Sequence, residues 1–179
     1  LSVLDRNVTA MGSRMLRRWL HRPLTDVEVL RTRHAALRTL CEHDIYEIVR
    51  GALKPVGDME RILTRVALRS ARPRDLTRLL SSLQALPPLR EALSELNAPL
   101  LRALSHQASA YPDLCALLGT AIIENPPVVI RDGGVIADGY DQDLDELRQI
   151  STNAGEFLLD IEKREKQATG ISTLKVGYN

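Results

Sequence analysis

Apolar residues recur at three- and four-residue spacing in one short segment after another, and prolines or capping residues cut these segments apart. That arrangement commits most of the chain to short packed helices, because a half-buried strand would need apolar residues at every second position. Thr9 is placed to cap a helix that carries Met11, Met15, Leu16, Trp19 and Leu20 on one face, and Pro23 ends it. Thr25 predicts the next start, with Val27, Leu30, His34, Leu37 and Leu40 on a common stripe. Asp26 and Glu28 then suit the positive end of the helix dipole. A helix is expected over 45–53, another from Asp58 through Met59, Ile62, Leu63 and Val66, and a third from Pro73 through Leu76, Leu79, Leu80 and Leu83. Pro87 and Pro88 should break the run. Segments 89–96, 99–108 and 112–123 bring the expected total to about eight helices before residue 125.

The texture then changes. Val128-Val129-Ile130, Asp132-Gly133-Gly134 and Val135-Ile136 spell a small β-hairpin with a glycine turn. Asp141 can cap a continuous helix to about Thr169, stopped by Gly170 and roughly 44 Å long at 1.5 Å per residue. Leu144, Leu147, Ile150, Ala154, Phe157, Leu158 and Ile161 share one face of it. Between Glu162 and Thr169 only Ala168 is apolar, so the last two turns read as a polar arm leaving its core. Leu174, Val176 and Tyr178 alternate with Thr173, Lys175 and Gly177 as a closing strand. The start at Leu1, with a helical signal almost at once, and this unpartnered strand predict a piece of a longer protein, cut at the entrance to another domain.

With aromatics at 3%, the core has to be built from aliphatic side chains, and Trp19 and Phe157 are expected to serve as its rare aromatic anchors. Cys41 and Cys115 are far apart in sequence, which suggests neither a disulfide framework nor a metal site and fits a reducing cytoplasm. No stretch of about 18 apolar residues predicts a membrane span. The net charge of +1 conceals an asymmetry: residues 1–78 carry 16 basic and 9 acidic side chains, and the remainder 8 and 14. Twenty of the basic residues are Arg, spread along helices among acids, which reads as a solvated face with contacts to other domains more readily than as a nucleic-acid footprint.

Chemistry is hard to find. Asp132-Gly133-Gly134 lacks the Gly-Lys-Ser/Thr of a phosphate loop. Asp58 and Glu60, two apart, should not face each other as an acid/base pair. His21, His34, His43 and His106 have no metal-ligand spacing. Arg72 and Arg74 beside Pro73 could add charge to a helix N-terminus that meets a phosphate, although a capped start with Arg paired to a neighbouring acid explains them as well. No catalytic, cofactor-binding or metal-binding residue is assigned, and the chain is not expected to be an enzyme.

Several sequence blocks carry a family likeness. Thr9-Ala10-Met11-Gly12-Ser13-Arg14-Met15-Leu16 with Trp19-Leu20 and Pro23-Leu24 resembles the opening of the core domain of bacterial MutS-type DNA mismatch-repair proteins. Asp58-Met59-Glu60-Arg61-Ile62 and Ala71-Arg72-Pro73-Arg74-Asp75-Leu76 are similar to that family's middle signature. Ile130 to Ile136, Gly139-Tyr140-Asp141, Leu144 to Arg148, and Thr169-Gly170-Ile171 with Leu174-Lys175-Val176 complete the series in order.

The resemblance implies a parent protein that binds mismatched duplex DNA as a homodimer, couples binding to an ABC-type ATPase and recruits MutL. ATP and Mg²⁺ would bind elsewhere in that parent, since neither the mismatch-reading Phe-x-Glu motif nor a nucleotide loop occurs here. It also implies three parts: a helical core over 1–140, a first lever helix over 141–169, and the start of the DNA clamp over 170–179. The expected fold class is mainly α, a multi-helix core with one small β-hairpin and a long protruding lever helix. The expected role is a mechanical link between ATPase and clamp. A self-contained helical adaptor, binding a protein partner through the exposed arm, is the alternative.

Overall fold

A computed structural model describes residues 3–42 and 44–176 of the chain. Helices occupy Ala10–His21 (α1), Val27–Glu42 (α2), Ile45–Leu53 (α3), Met59–Ala67 (α4), Pro73–Gln84 (α5), Leu86–Ser94 (α6), Pro99–Gln107 (α7), Pro112–Ala121 (α8), Gln142–Thr152 (α9) and Ala154–Thr169 (α10). They fall into two compact units, Leu1–Ile136 and Ala137–Asn179.

Local chemistry explains the boundaries. Thr9 Oγ1 accepts the Gly12 N–H at 3.1 Å and starts α1. Asp26, rather than Thr25, starts α2, its carboxylate accepting the Glu28 and Val29 N–H groups at 2.9 and 3.2 Å. Pro73, Pro99 and Pro112 open their helices, where a missing N–H costs nothing because no carbonyl lies one turn behind. The same reasoning rescues Pro87 and Pro88. They sit inside the first turn of α6, which begins at Leu86, so the double proline starts a helix a little earlier than expected instead of delaying one.

The first unit holds two aliphatic clusters. Ala36, Leu93, Leu96, Ala98 and Leu101 are buried together, with Leu40, Ile45, Val49 and Leu89 packed on them, which joins α2, α3, α6 and α7. Ile62, Leu79, Leu83 and Leu118, with Met59, Leu76, Leu80, Leu86 and Cys115, join α4, α5 and α8. Helix α6 serves both, through Leu86 at one end and Leu93 at the other. Two buried serines join neighbouring elements by hydrogen bonds. Ser82 Oγ donates to the Arg78 carbonyl at 2.7 Å and accepts the Gly57 N–H at 2.8 Å, pinning the 56–57 turn to α5. Ser105 Oγ donates to the Arg90 carbonyl at 3.2 Å, tying α7 to α6. A Cβ at Gly57 would lie 2.5 Å from Arg78 Cγ, so a side chain here must displace the one that frames the turn.

The β-hairpin of the sequence reading is not formed. Among the described residues no strand occurs; there is one isolated antiparallel bridge, between Ile122 and Ile136, and the Ile123 N–H donates to the Val135 carbonyl at 3.1 Å. Val135-Ile136 therefore pairs, but with the residues that follow α8 and not with Val128-Val129-Ile130. Ile130–Asp132 closes instead into a 3₁₀ turn, which takes Ile130 out of the supposed first strand. Gly133 and Gly134 follow it at φ 70° and 63°, which carries the chain back toward residue 123.

The single long helix is likewise replaced, by α9 and α10 meeting at Asn153, whose φ of −106° and ψ of 27° leave helical geometry. Ser151-Thr152-Asn153 is a run of residues whose side chains compete for the backbone, and Thr152 Oγ1 does so by donating to the Arg148 carbonyl at 2.8 Å. Backbone bonding continues through the break, from Asn153 N–H to Gln149 at 2.9 Å and from Phe157 N–H to Asn153 at 3.0 Å. The defect is thus a bend and not a gap. Past Gly170, at φ 71°, the chain turns back: the Val176 N–H donates to Glu162 Oε2 at 3.3 Å, and Lys166 Nζ to Glu162 Oε1 at 2.7 Å. Residues 171–176 fold along α10 and form no strand; Gly177 and Tyr178 lie outside the described residues.

Candidate functional site

The polar side chains that converge in the first unit do so at helix starts. Arg14, projecting from α1, donates through Nη1 and Nη2 to the two carboxylate oxygens of Asp58 at 2.6 and 2.7 Å. Its Nε reaches Glu60 Oε2 at 3.2 Å, and Nη2 is shared with the same oxygen. Asp58 is at once the cap of α4, accepting the Arg61 N–H at 3.3 Å. The bidentate guanidinium first, and that backbone donor second, hold the Asp58 carboxyl below the ordinary carboxylate range, and the two carboxylates in turn strengthen the proton's hold on Arg14. An ionised carboxylate with its lone pairs engaged has no proton to exchange; the arrangement can clamp α1 to α4 and can do little else.

Sequence spacing missed this convergence. Two positions apart inside a helix point away from each other, but Asp58 precedes the first turn at ψ 78°, so the rule does not reach it. The clue was its capping role.

Asp75 repeats the design at α5. Its Oδ2 accepts the Arg72 N–H at 3.0 Å, and both its oxygens accept from Arg65 Nη1 at 2.7 and 2.8 Å. Arg74 Nε donates to the Pro126 carbonyl at 3.1 Å, and Pro73 is fully buried. The Arg72-Pro73-Arg74 start thus ties α5 to α4 and to the 125–127 loop, with Asp75 as the acid that Arg65 pairs with. In the second unit, Asp145 accepts the Gly139 N–H at 2.7 Å, and Arg148 Nη1 bridges to Asp138 at 2.7 Å and Asp145 at 3.4 Å, fastening the turn before α9 to its first turns.

The two aromatic anchors do not lie in the core. Trp19 is 43% exposed, with the Arg33 guanidinium 3.9 Å from its ring centroid, and Phe157 is 46% exposed. An apolar stripe announces that something packs there without saying what. His21, His34 and His106 lie on three different helices, and His43 lies outside the described residues. Among the described residues no group of three or more His, Cys, Asp or Glu stands close enough to hold a metal ion, Cys41 and Cys115 are unpaired, and no helix is long and apolar enough to cross a membrane.

Aliphatic clusters that join the helices, with the starts of α4 and α5 tied to neighbouring helices by ionised side chains, define a helical module. The chain matches the MutS domain III family over residues 1–172, and it belongs to that family. It is a MutS-type core module of the mismatch-repair context. Three of the blocks that carry the likeness fall on these ties: Thr9 to Leu16 contains the α1 cap and Arg14, Asp58 to Ile62 the α4 cap, and Ala71 to Leu76 the Asp75 network. Ile130 to Ile136 contains the 3₁₀ turn, and Gly139 to Arg148 the Asp145–Arg148 network.

Proposed function

We propose that this chain is a mechanical link in a longer MutS-type mismatch-repair protein, transmitting between a distant ATPase and a DNA clamp, and is not itself an enzyme. One observation carries the reading: three of the family's sequence blocks hold the residues of the interhelical ties, Arg14, Asp58 with Glu60, and Asp75. A coupling element needs parts that move as units, and charge-assisted ties such as the bidentate Arg14–Asp58 pair and Arg65–Asp75 favour that over gradual bending. The parent would bind mismatched duplex DNA as a homodimer, use ATP and Mg²⁺ held elsewhere in its chain, and recruit MutL.

The test is made in that full-length protein. Arg14→Ala should leave basal ATP turnover and nucleotide-free mismatch binding close to normal, while the effect of each on the other falls by about tenfold, or about 1.4 kcal/mol of coupling. Unchanged coupling would refute the mechanical role. ATP hydrolysis by residues 1–179 alone would refute the non-enzymatic one.

A further inference from the structure

Arg90 and Ser94, one turn apart on α6, and Arg102, Ser105 and His106 of α7 line a common pocket of about 130 Å³. None of these lining residues is acidic. Hydrogen bonding decides which of their groups stay free. Ser94 Oγ donates to the Glu91 carbonyl at 2.8 Å and Ser105 Oγ to the Arg90 carbonyl at 3.2 Å, so both hydroxyl protons are committed. Arg102 Nη2 donates to the Asn97 carbonyl at 3.0 Å, which leaves the rest of that guanidinium unspent. Among the described residues the side chains of Arg90 and His106 take part in no hydrogen bond or ion pair. The helices that carry these donors are held together by the buried Ser105 and by Leu93 and Leu101 of the first aliphatic cluster.

Two guanidinium groups without a carboxylate share this pocket, and like charges so placed repel until an anion joins them. We propose that the pocket binds a tetrahedral oxyanion of the phosphate class, held by Arg90 and Arg102 from the two helices and by an N–H of the His106 ring. Its volume lies well below the roughly 300–1,000 Å³ of sites for whole small molecules, which suits one small ion or a single phosphoryl group. A carboxylate has two oxygens in one plane and is satisfied by one guanidinium fork. A phosphate group presents oxygens in more directions, which three donors on two helices can meet at once. Free phosphate and a phosphodiester share that chemistry.

The probe is inorganic phosphate, added to the chain at constant pH and ionic strength and followed through the His106 ring signals in proton NMR, assigned by their loss in His106→Gln. Those signals should shift saturably, while those of His21 and His34 should not follow the same curve. Affinity should fall about tenfold in Arg90→Gln and again in Arg102→Gln, and remain unchanged in Arg164→Gln, a substitution in the second unit. Because the Arg90 side chain has no partner within the described fold, Arg90→Gln should leave urea unfolding unaltered and keeps the test clear should Arg102→Gln disturb the 95–98 turn. Acetate should not compete. Displacement of phosphate by a matched duplex would identify a phosphodiester as the source, and its absence free phosphate. No saturable shift of His106, equal affinity in Arg90→Gln, or competition by acetate at the same concentration would each overturn the proposal.

Discussion

The two units of the chain use the same materials to opposite ends. In residues 1–136 aliphatic side chains close on one another, so that Leu83, Leu93 and Leu101 are all but inaccessible and Ser82 is wholly so. In residues 137–176 the helices are as regular and better supplied with charge, yet Leu147, Ile150, Phe157 and Leu159 stay exposed and no described residue of α9 or α10 is buried. Helical pattern alone does not distinguish the two; what differs is whether a partner stands opposite the stripe. Stability should therefore reside in the first unit, while the second is a helical element with an exposed apolar face.

The largest effect expected from that contrast is in the core. Leu83→Ala removes a side chain from the cluster that joins α4, α5 and α8 and should destabilise the chain by about 2–5 kcal/mol in urea unfolding. An effect under about 1 kcal/mol would mean the cluster is not what holds this unit together.

A smaller loss is expected at the clamp. Asp58→Ala removes both the α4 cap and the Arg14 tie and should cost about 1–2 kcal/mol; Asp58→Asn keeps a capping oxygen and should cost less. The pH dependence follows from the carboxyl being held below its ordinary range. Its contribution is fully present above the unfolded value near 3.8 and is lost as pH falls through the lower folded value. Acid unfolding of Asp58→Asn should accordingly show less loss of stability below about pH 4 than the parent chain. An identical acid limb would remove Asp58 from the ionic clamp.

The smallest effect is expected at Phe157. As a core anchor its truncation to alanine would cost several kcal/mol, but at 46% exposure in α10 the change should stay within about 0.5 kcal/mol by thermal or urea unfolding. A large loss would show that the second unit buries this face after all.

Much of the helical order was legible because its signals are local. Thr9, Asp58 and the prolines at 73, 99 and 112 act within one turn of themselves, and a sequence pattern captures that range. Most of the misreadings have a cause at longer range. Val135-Ile136 pairs with Ile122-Ile123 and not with the nearest apolar run, Val128 to Ile130, whose last residue is taken up by the 3₁₀ turn. The apolar stripe drew the 141–169 helix straight past Ser151-Thr152-Asn153, although those residues themselves warn of a bend. Trp19 and Phe157 looked like core because periodicity reports amphipathicity and not what lies opposite. The Arg14–Asp58–Glu60 clamp joins residues more than forty positions apart, and only the fold brings them together.

Native-state hydrogen exchange of a sample shown by sedimentation to be monomeric tests the contrast most directly. Amides of α5, α6 and α7 should exchange slowest, at rates set by global unfolding, and protection should fall near residue 137, with α9 and α10 exchanging orders of magnitude faster along their whole length. Exchange of α9 and α10 as slow as that of α5 in the monomer would contradict the assignment of stability to the first unit.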